Sequence, residues 1–212
     1  MKLLEILRRA KGIVGIMLAV FILGFASGFA AGKWHLADAQ KVRASKLVAF
    51  SRNLEYQVPV YGPLLRKYAD WERPKLMGHI FGGKAVKAMF LIFFNNFVVA
   101  NATMAVRAAF LAPMLLYPVG RFVQGLTLAQ TPGSYRMLGV PIAEFGGYFL
   151  TICGTLCLVL WTLLFRRFRF ASRREAFRSG LKLFGLMYLG SAVFLLFGSY
   201  IEMMSLLAMS IR

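Results

Sequence analysis

The chain has 212 residues, 59% of them hydrophobic, and a formal net charge of +18. Soluble domains average about 45–50% apolar residues. Here the excess lies in long unbroken blocks, which excludes an ordinary soluble domain and points to an integral membrane protein. The basic residues border those blocks without any nucleic-acid recognition motif, so the charge implies anionic lipid headgroups and not nucleic acid.

The first twelve residues carry Lys2, Arg8, Arg9 and Lys11 against Glu5, and an apolar run follows over 13–31. A secretory leader shares that layout. A run of about 19 residues is long enough to span, however, so it reads as an uncleaved first transmembrane helix. Gly24, Gly28 and Gly32 form two overlapping GxxxG units, which allow close approach of another helix. The plain alternative is the general glycine enrichment of membrane helices.

Residues 33–87 form an outer segment. An amphipathic helix is predicted over 36–57, with Leu36, Leu47, Phe50 and Leu54 on one side. Lys41, Arg43, Lys46 and Arg52 occupy much of the rest. Pro59 and Pro63 break it, and a second short helix is expected over 64–72, ending before Pro74. Gly78, Gly82 and Gly83 then suggest a flexible return over 75–87. Tyr61, Tyr68 and Trp71 suit a membrane interface or a solvated cap on the bundle.

The second predicted span, 88–106, is apolar except for Asn95, Asn96, Asn101 and Thr103. An amide in hydrocarbon is costly unless hydrogen-bonded, so these residues demand protein partners. Asn95 and Asn96 point about 100° apart on a helix, so one neighbour cannot receive all three amides. The third span, 108–129, contains Pro113, Pro118, Gly120 and Gly125 and is expected to kink. Its freed carbonyls are candidate partners for the amides. Arg121 lies within it. A loop covers 130–141.

The fourth span, 142–165, places Glu144 in its first turn, where acidic residues suit a helix N-terminus. Arg121 and Glu144 are expected to pair or to line a polar pocket. Cys153 and Cys157, spaced i, i+4, read as buried packing residues. The stretch 166–182 holds seven basic residues against one Glu. It reads as a loop whose Arg166, Arg167, Arg169, Arg173 and Arg174 contact headgroups. The fifth span runs over 183–205.

This gives an all-α, polytopic transmembrane bundle of about five helices, with a kinked third helix and an amphipathic outer segment. Its parts are an N-terminal helix (1–32), the outer segment (33–87) and a four-helix core (88–212). The densest short basic loop, 166–182, belongs in the cytoplasm by the positive-inside rule. The N-terminus is then cytoplasmic too, while 33–87 and the C-terminus lie outside a cytoplasmic membrane. Against this, 33–87 carries eleven Lys or Arg of its own, although at lower density and in a longer segment.

No phosphate-binding glycine loop, HExxH, GxSxG or carboxylate pair occurs, and His35 and His79 are isolated. The expectation is a protein that is not an enzyme and needs neither metal nor cofactor.

The layout resembles the stage II sporulation protein M family. The resemblance rests on Phe-Phe-Asn95-Asn96-Phe-Val-Val-Ala and on the five-helix plan. Pro118-Val-Gly120 with Gly125, and Gly139-Val-Pro141-Ile-Ala-Glu144, echo two later family segments; the second lacks the family's His and differs in spacing. The resemblance implies a non-enzymatic membrane protein. The family's namesake helps recruit a peptidoglycan-degrading complex and remodel membrane during engulfment. The role expected here is a scaffold or membrane-organising subunit, as a homo-oligomer or with other membrane subunits. The alternative is a transport or channel subunit with a polar path lined by Asn95, Asn96 and Arg121.

Overall fold

The computed structural model describes residues 3–33, 61–109, 125 and 139–210. Their regular elements are all helical: α1 (Leu3–Lys33), α2 (Tyr61–Phe81), α3 (Ala85–Ala109), α4 (Gly139–Leu163) and α5 (Arg173–Ser210). Four of these, α1, α3, α4 and α5, are long and apolar enough to cross a membrane. The predicted third span, with Pro113, Pro118 and Arg121, lies outside the described residues except at 108–109 and Gly125. So does the amphipathic helix predicted over 36–57.

The most buried helix is α4. Of its most apolar window 56% is buried, against 17% for α1 and 22% for α3 and α5. Seven consecutive residues, 151–157, are buried, so α4 meets protein on every side while the other three keep an apolar flank outward. It packs antiparallel on α5, from Ala143 beside Gly198 at one end to Leu158 beside Gly180 at the other. Gly180 sets the closeness of that seam: a Cβ there would lie 2.7 Å from the Leu158 Cα. Cys153 and Cys157 are free thiols in this core.

Two apolar clusters fix the ends. Ile6 and Ala10 of α1 pack with Ala108 of α3, Trp161 of α4, Phe170 of the α4–α5 connection and Ala176 of α5. At the opposite end Ile80 of α2 meets Ala88 and Ile92 of α3 and Met203 of α5. The start of α1, the end of α3 and the α4–α5 connection therefore share one end of the bundle. The second helix, the start of α3 and the end of α5 share the other.

Four local expectations are corrected. The helix expected to stop before Pro74 continues through it to Phe81. Proline removes only one helical N–H, and contacts beyond it hold the helix: Lys75 lies 4.1 Å from the Trp71 ring centroid, and Leu76 and Ile80 pack into the second cluster. Instead of a flexible return, 82–84 is a tight C-cap. Lys84 N–H donates to His79 O (2.8 Å) and Gly83 N–H to Ile80 O (3.2 Å), with Gly83 at φ +68°. That is a Schellman turn, which needs the left-handed conformation glycine adopts freely.

The expected loop 166–182 is shorter, because α5 starts at Arg173. Ser172 Oγ accepts the Glu175 N–H (3.1 Å), and Glu175 Oε2 accepts the Ala171 N–H (2.9 Å). This capping pair starts the helix ten residues before the apolar run. Arg173, Arg174, Arg178 and Lys182 are thus helical. Finally, Glu144 falls in the second turn of α4, since the helix begins at Gly139.

Candidate functional site: a polar seam across α3, α4 and α5

In the middle of α3 the backbone widens. Residues Asn95–Ala100 form a π-helical segment, in which the Asn101 N–H bonds the Asn96 carbonyl five residues back. Such segments recur at functional sites because they redirect side chains and carbonyls. Here the widened turn aims Asn96 and Asn101 at two different helices. Asn96 Nδ2 donates to Glu144 Oε1 of α4 at 2.9 Å. Asn101 Nδ2 donates to Ser191 Oγ of α5 at 2.7 Å. Both asparagines are buried, at 6% and 0% exposure.

A backbone tie completes the seam. The Tyr188 hydroxyl donates to the Phe97 carbonyl at 3.0 Å, inside the π segment. The two rings lie 5.0 Å apart, and Phe184 and Phe93 extend the aromatic contact on either side. Ser191 donates in turn to the Tyr188 carbonyl (2.6 Å), so it is both acceptor and donor. Asn101 Oδ1 is buried with no hydrogen-bond partner among the described residues.

The structure thus joins Asn96 to Glu144 and sends Asn101 elsewhere. Asn95 is half-buried and makes no side-chain hydrogen bond to a described residue. The described partners of the amides are side chains of α4 and α5 rather than carbonyls of the third span. The Arg121–Glu144 pair lies outside the described residues at Arg121. Nothing in the sequence marks Ser191 and Tyr188 as partners of α3. Both are polar interruptions of an apolar run, a weak signal that does not say which helix they serve.

On α1, Gly28 and Gly32 are buried and Gly24 half-buried. The backbone at Phe25, Gly28 and Phe29 is approached so closely by Gly125 that a Cβ there would overlap the Phe25 carbonyl. Small residues on both sides permit that contact.

The basic residues gather at the end where α1 begins. Arg166, Arg167, Arg169, Arg173 and Arg174 are all exposed there, with Arg8 and Lys11 of α1. Arg166 and Arg173 flank the Phe165 ring at 5.6 and 5.8 Å. Arg9 has a different use. Its Nη1 donates to the Phe168 and Arg169 carbonyls at 3.2 and 3.0 Å, its Nη2 pairs with Glu5 at 2.7 Å, and its guanidinium lies 4.4 Å from the Phe170 ring centroid. It closes the end of α4 onto α1.

At the opposite end the Tyr68 hydroxyl of α2 is buried without a hydrogen-bond partner among the described residues. Burial, and then the nearby Glu72 carboxylate, push the phenol up to about 12.

Together these features define a polytopic α-helical membrane protein with a polar seam inside it and a basic end outside it. Comparison with known protein families, curated proteins and solved structures finds no match.

Proposed function

We propose that this chain is a non-enzymatic scaffold of the cytoplasmic membrane, on the plan of the stage II sporulation protein M family, that organises partner subunits or the bilayer. The observation carrying this reading is how the seam is used. Asn96, Asn101 and Tyr188 each bond across to another helix, which fixes one bundle geometry. Such bonds contribute about 0.6 kcal/mol each on average within membranes, enough in combination to set register. A fixed bundle then presents an outward apolar strip on α5, with Leu186, Leu189, Val193, Phe197, Tyr200 and Met204 exposed. Lipid or a second subunit covers such a strip. The basic end faces the cytoplasm and its anionic leaflet, with the N-terminus cytoplasmic and the C-terminus outside.

The test is purification in mild detergent from native membranes after cross-linking, followed by mass spectrometry. Cross-linked oligomers or a reproducible membrane-protein partner are the expected result. A monomer without partners, which conducts a solute when reconstituted in liposomes, would overturn the reading.

A transport path is the second reading. It is favoured by Asn101 Oδ1, which has no hydrogen-bond partner among the described residues, and by Asn95 at the start of the π segment. Asn95→Cys treated with a water-soluble thiol reagent separates the two. Protection supports the scaffold; labelling supports a hydrated path through Asn95, Asn96 and Arg121.

A further inference from the structure

Against the first three turns of α5 lies a cavity of about 260 Å³ that the polar seam does not involve. Ile6 of α1 forms one wall. Arg174, Arg178 and Lys182 line the other, at i, i+4 and i+8 on a single face of α5. With a water occupying about 30 Å³ of liquid, the space is several waters in size.

The charge in this cavity is unbalanced. Among the described residues none of the three cations has an ion-pair partner; Arg9–Glu5 is the salt bridge there. Glu175 in the lining offsets one of the three charges, and its Oε2 is held in the helix cap by the Ala171 N–H. Like charges four apart on a helix repel, so a bound anion would relieve the row.

A second observation points into the same space. Ser179 lines the cavity and is only 6% exposed, yet its hydroxyl has no hydrogen-bond partner among the described residues. Several other helix hydroxyls are satisfied locally, although the buried Thr151 Oγ1 of α4 has no partner among the described residues. Thr155, Thr162, Ser199 and Ser205 each donate to the carbonyl four residues back. Ser179 is left with its donor free beside three cations. Unlike the Thr151 hydroxyl, that of Ser179 reaches the cavity, so it is placed to donate to an acceptor there.

We propose that this cavity is a binding site for the phosphate of an anionic phospholipid headgroup. Arg174, Arg178 and Lys182 supply the charge, the Ser179 hydroxyl donates a hydrogen bond, and the N-terminal end of α5 adds its dipole. The membrane-interface position selects lipid over soluble phosphate. Leu183 starts the apolar run immediately past Lys182, and Phe177 and Leu181 are exposed beside the cavity, at the level where acyl chains begin. The proposal rests on the membrane-embedded reading of the chain and not on its scaffold role. A failed lipid assay leaves the partner experiment intact, and the reverse holds too.

The experiment is native mass spectrometry of the full chain in detergent, titrated with phosphatidylglycerol and separately with inorganic phosphate. Arg178→Ala with Lys182→Ala should weaken phosphatidylglycerol binding about tenfold or more, the scale of lost charge-assisted hydrogen bonds. Ser179→Ala should weaken it about threefold with no change in charge. Lys84→Ala with Lys87→Ala removes two cations at the opposite end and should change it less than about twofold. Thermal denaturation checks that each variant is folded. Should the double variant fail that check, Ser179→Ala and Lys182→Gln decide alone. Equal weakening by both double variants, or no effect of Ser179→Ala and Lys182→Gln, would overturn the site. Tight binding of inorganic phosphate that displaces phosphatidylglycerol would overturn the lipid source.

Discussion

Arg169 sits at φ +58°, in the left-handed region that a residue with a Cβ adopts at a cost of about 1 kcal/mol. Its N–H donates to Arg166 O, and Phe170 N–H donates to Phe165 O, both at 3.0 Å. This is the C-cap position that glycine usually fills. Arg9 holds it from outside by taking the Phe168 and Arg169 carbonyls. Two opposite outcomes are expected in thermal denaturation of the detergent-solubilised protein. Arg169→Gly should stabilise by up to about 1 kcal/mol, because its exposed side chain is lost but the backbone strain is relieved. Arg9→Ala should destabilise by about 1.5–3 kcal/mol, the range for hydrogen bonds to charged groups. Tyr68 gives a pH-dependent prediction. Its phenol is raised to about 12, so the folded state favours the neutral form. That contribution is fully present below the ordinary phenol value near 10 and is lost as pH rises from there towards 12. Ultraviolet phenolate titration of the folded protein against Tyr68→Phe should show one late-ionising tyrosine missing in the variant.

At the scale of helices, the contact between α4 and α5 depends on small residues with unequal tolerance. A Cβ on Gly180 meets the Leu158 Cα at 2.7 Å, whereas a Cβ on Gly190 meets the Leu150 side chain at an ordinary 3.6 Å. Gly180→Ala should therefore cost about 1–3 kcal/mol, and Gly190→Ala clearly less, in the same denaturation assay. A reversed order would mean that the helices can shift apart at Gly180. Helix boundaries were legible only where apolar length marked them. The apolar blocks gave α1, α3, α4 and the apolar part of α5, because hydrocarbon thickness dictates their length. The start of α5 was obscured, since seven basic residues look like a loop. Ser172-Arg-Arg-Glu175 is nevertheless a capping-box pattern, and it outweighs the charge. Pro74 is a similar case: tertiary packing carries α2 across it, and Gly83 supplies the actual stop. The need of the asparagines for partners was readable from the cost of burying amides. The partners were not, because Ser191 lies 90 residues from Asn101 and nothing local marks it. Nor does any residue pattern announce the π segment that turns Asn96 and Asn101 to different neighbours.

In the whole molecule, charge and packing agree on which ends belong together. The Arg9 bonds join the start of α1 to the α4–α5 connection, and Ala108 brings the Arg107 end of α3 to the same cluster. Arg8, Lys11 and Arg107 thereby join the basic residues of 166–182, against Glu5 and Glu175. The second helix lies at the far end with Lys84 and Lys87. Concentrating positive charge on one end is what the positive-inside rule acts on, so that end should be cytoplasmic. Two exposed positions test this. Ala171→Cys sits in the α4–α5 connection and Lys84→Cys at the α2–α3 turn, while native Cys153 and Cys157 are fully buried and add little background. In intact cells a membrane-impermeant thiol reagent should label Lys84→Cys and spare Ala171→Cys until the membrane is permeabilised. The reverse pattern would overturn the orientation and leave the fold standing. Labelling of both from one side would be a deeper failure, because α3, α4 and α5 run from one end to the other. Both positions on one face would require the helices not to span, and the polar seam would then lie in water, where its hydrogen bonds have no reason to form.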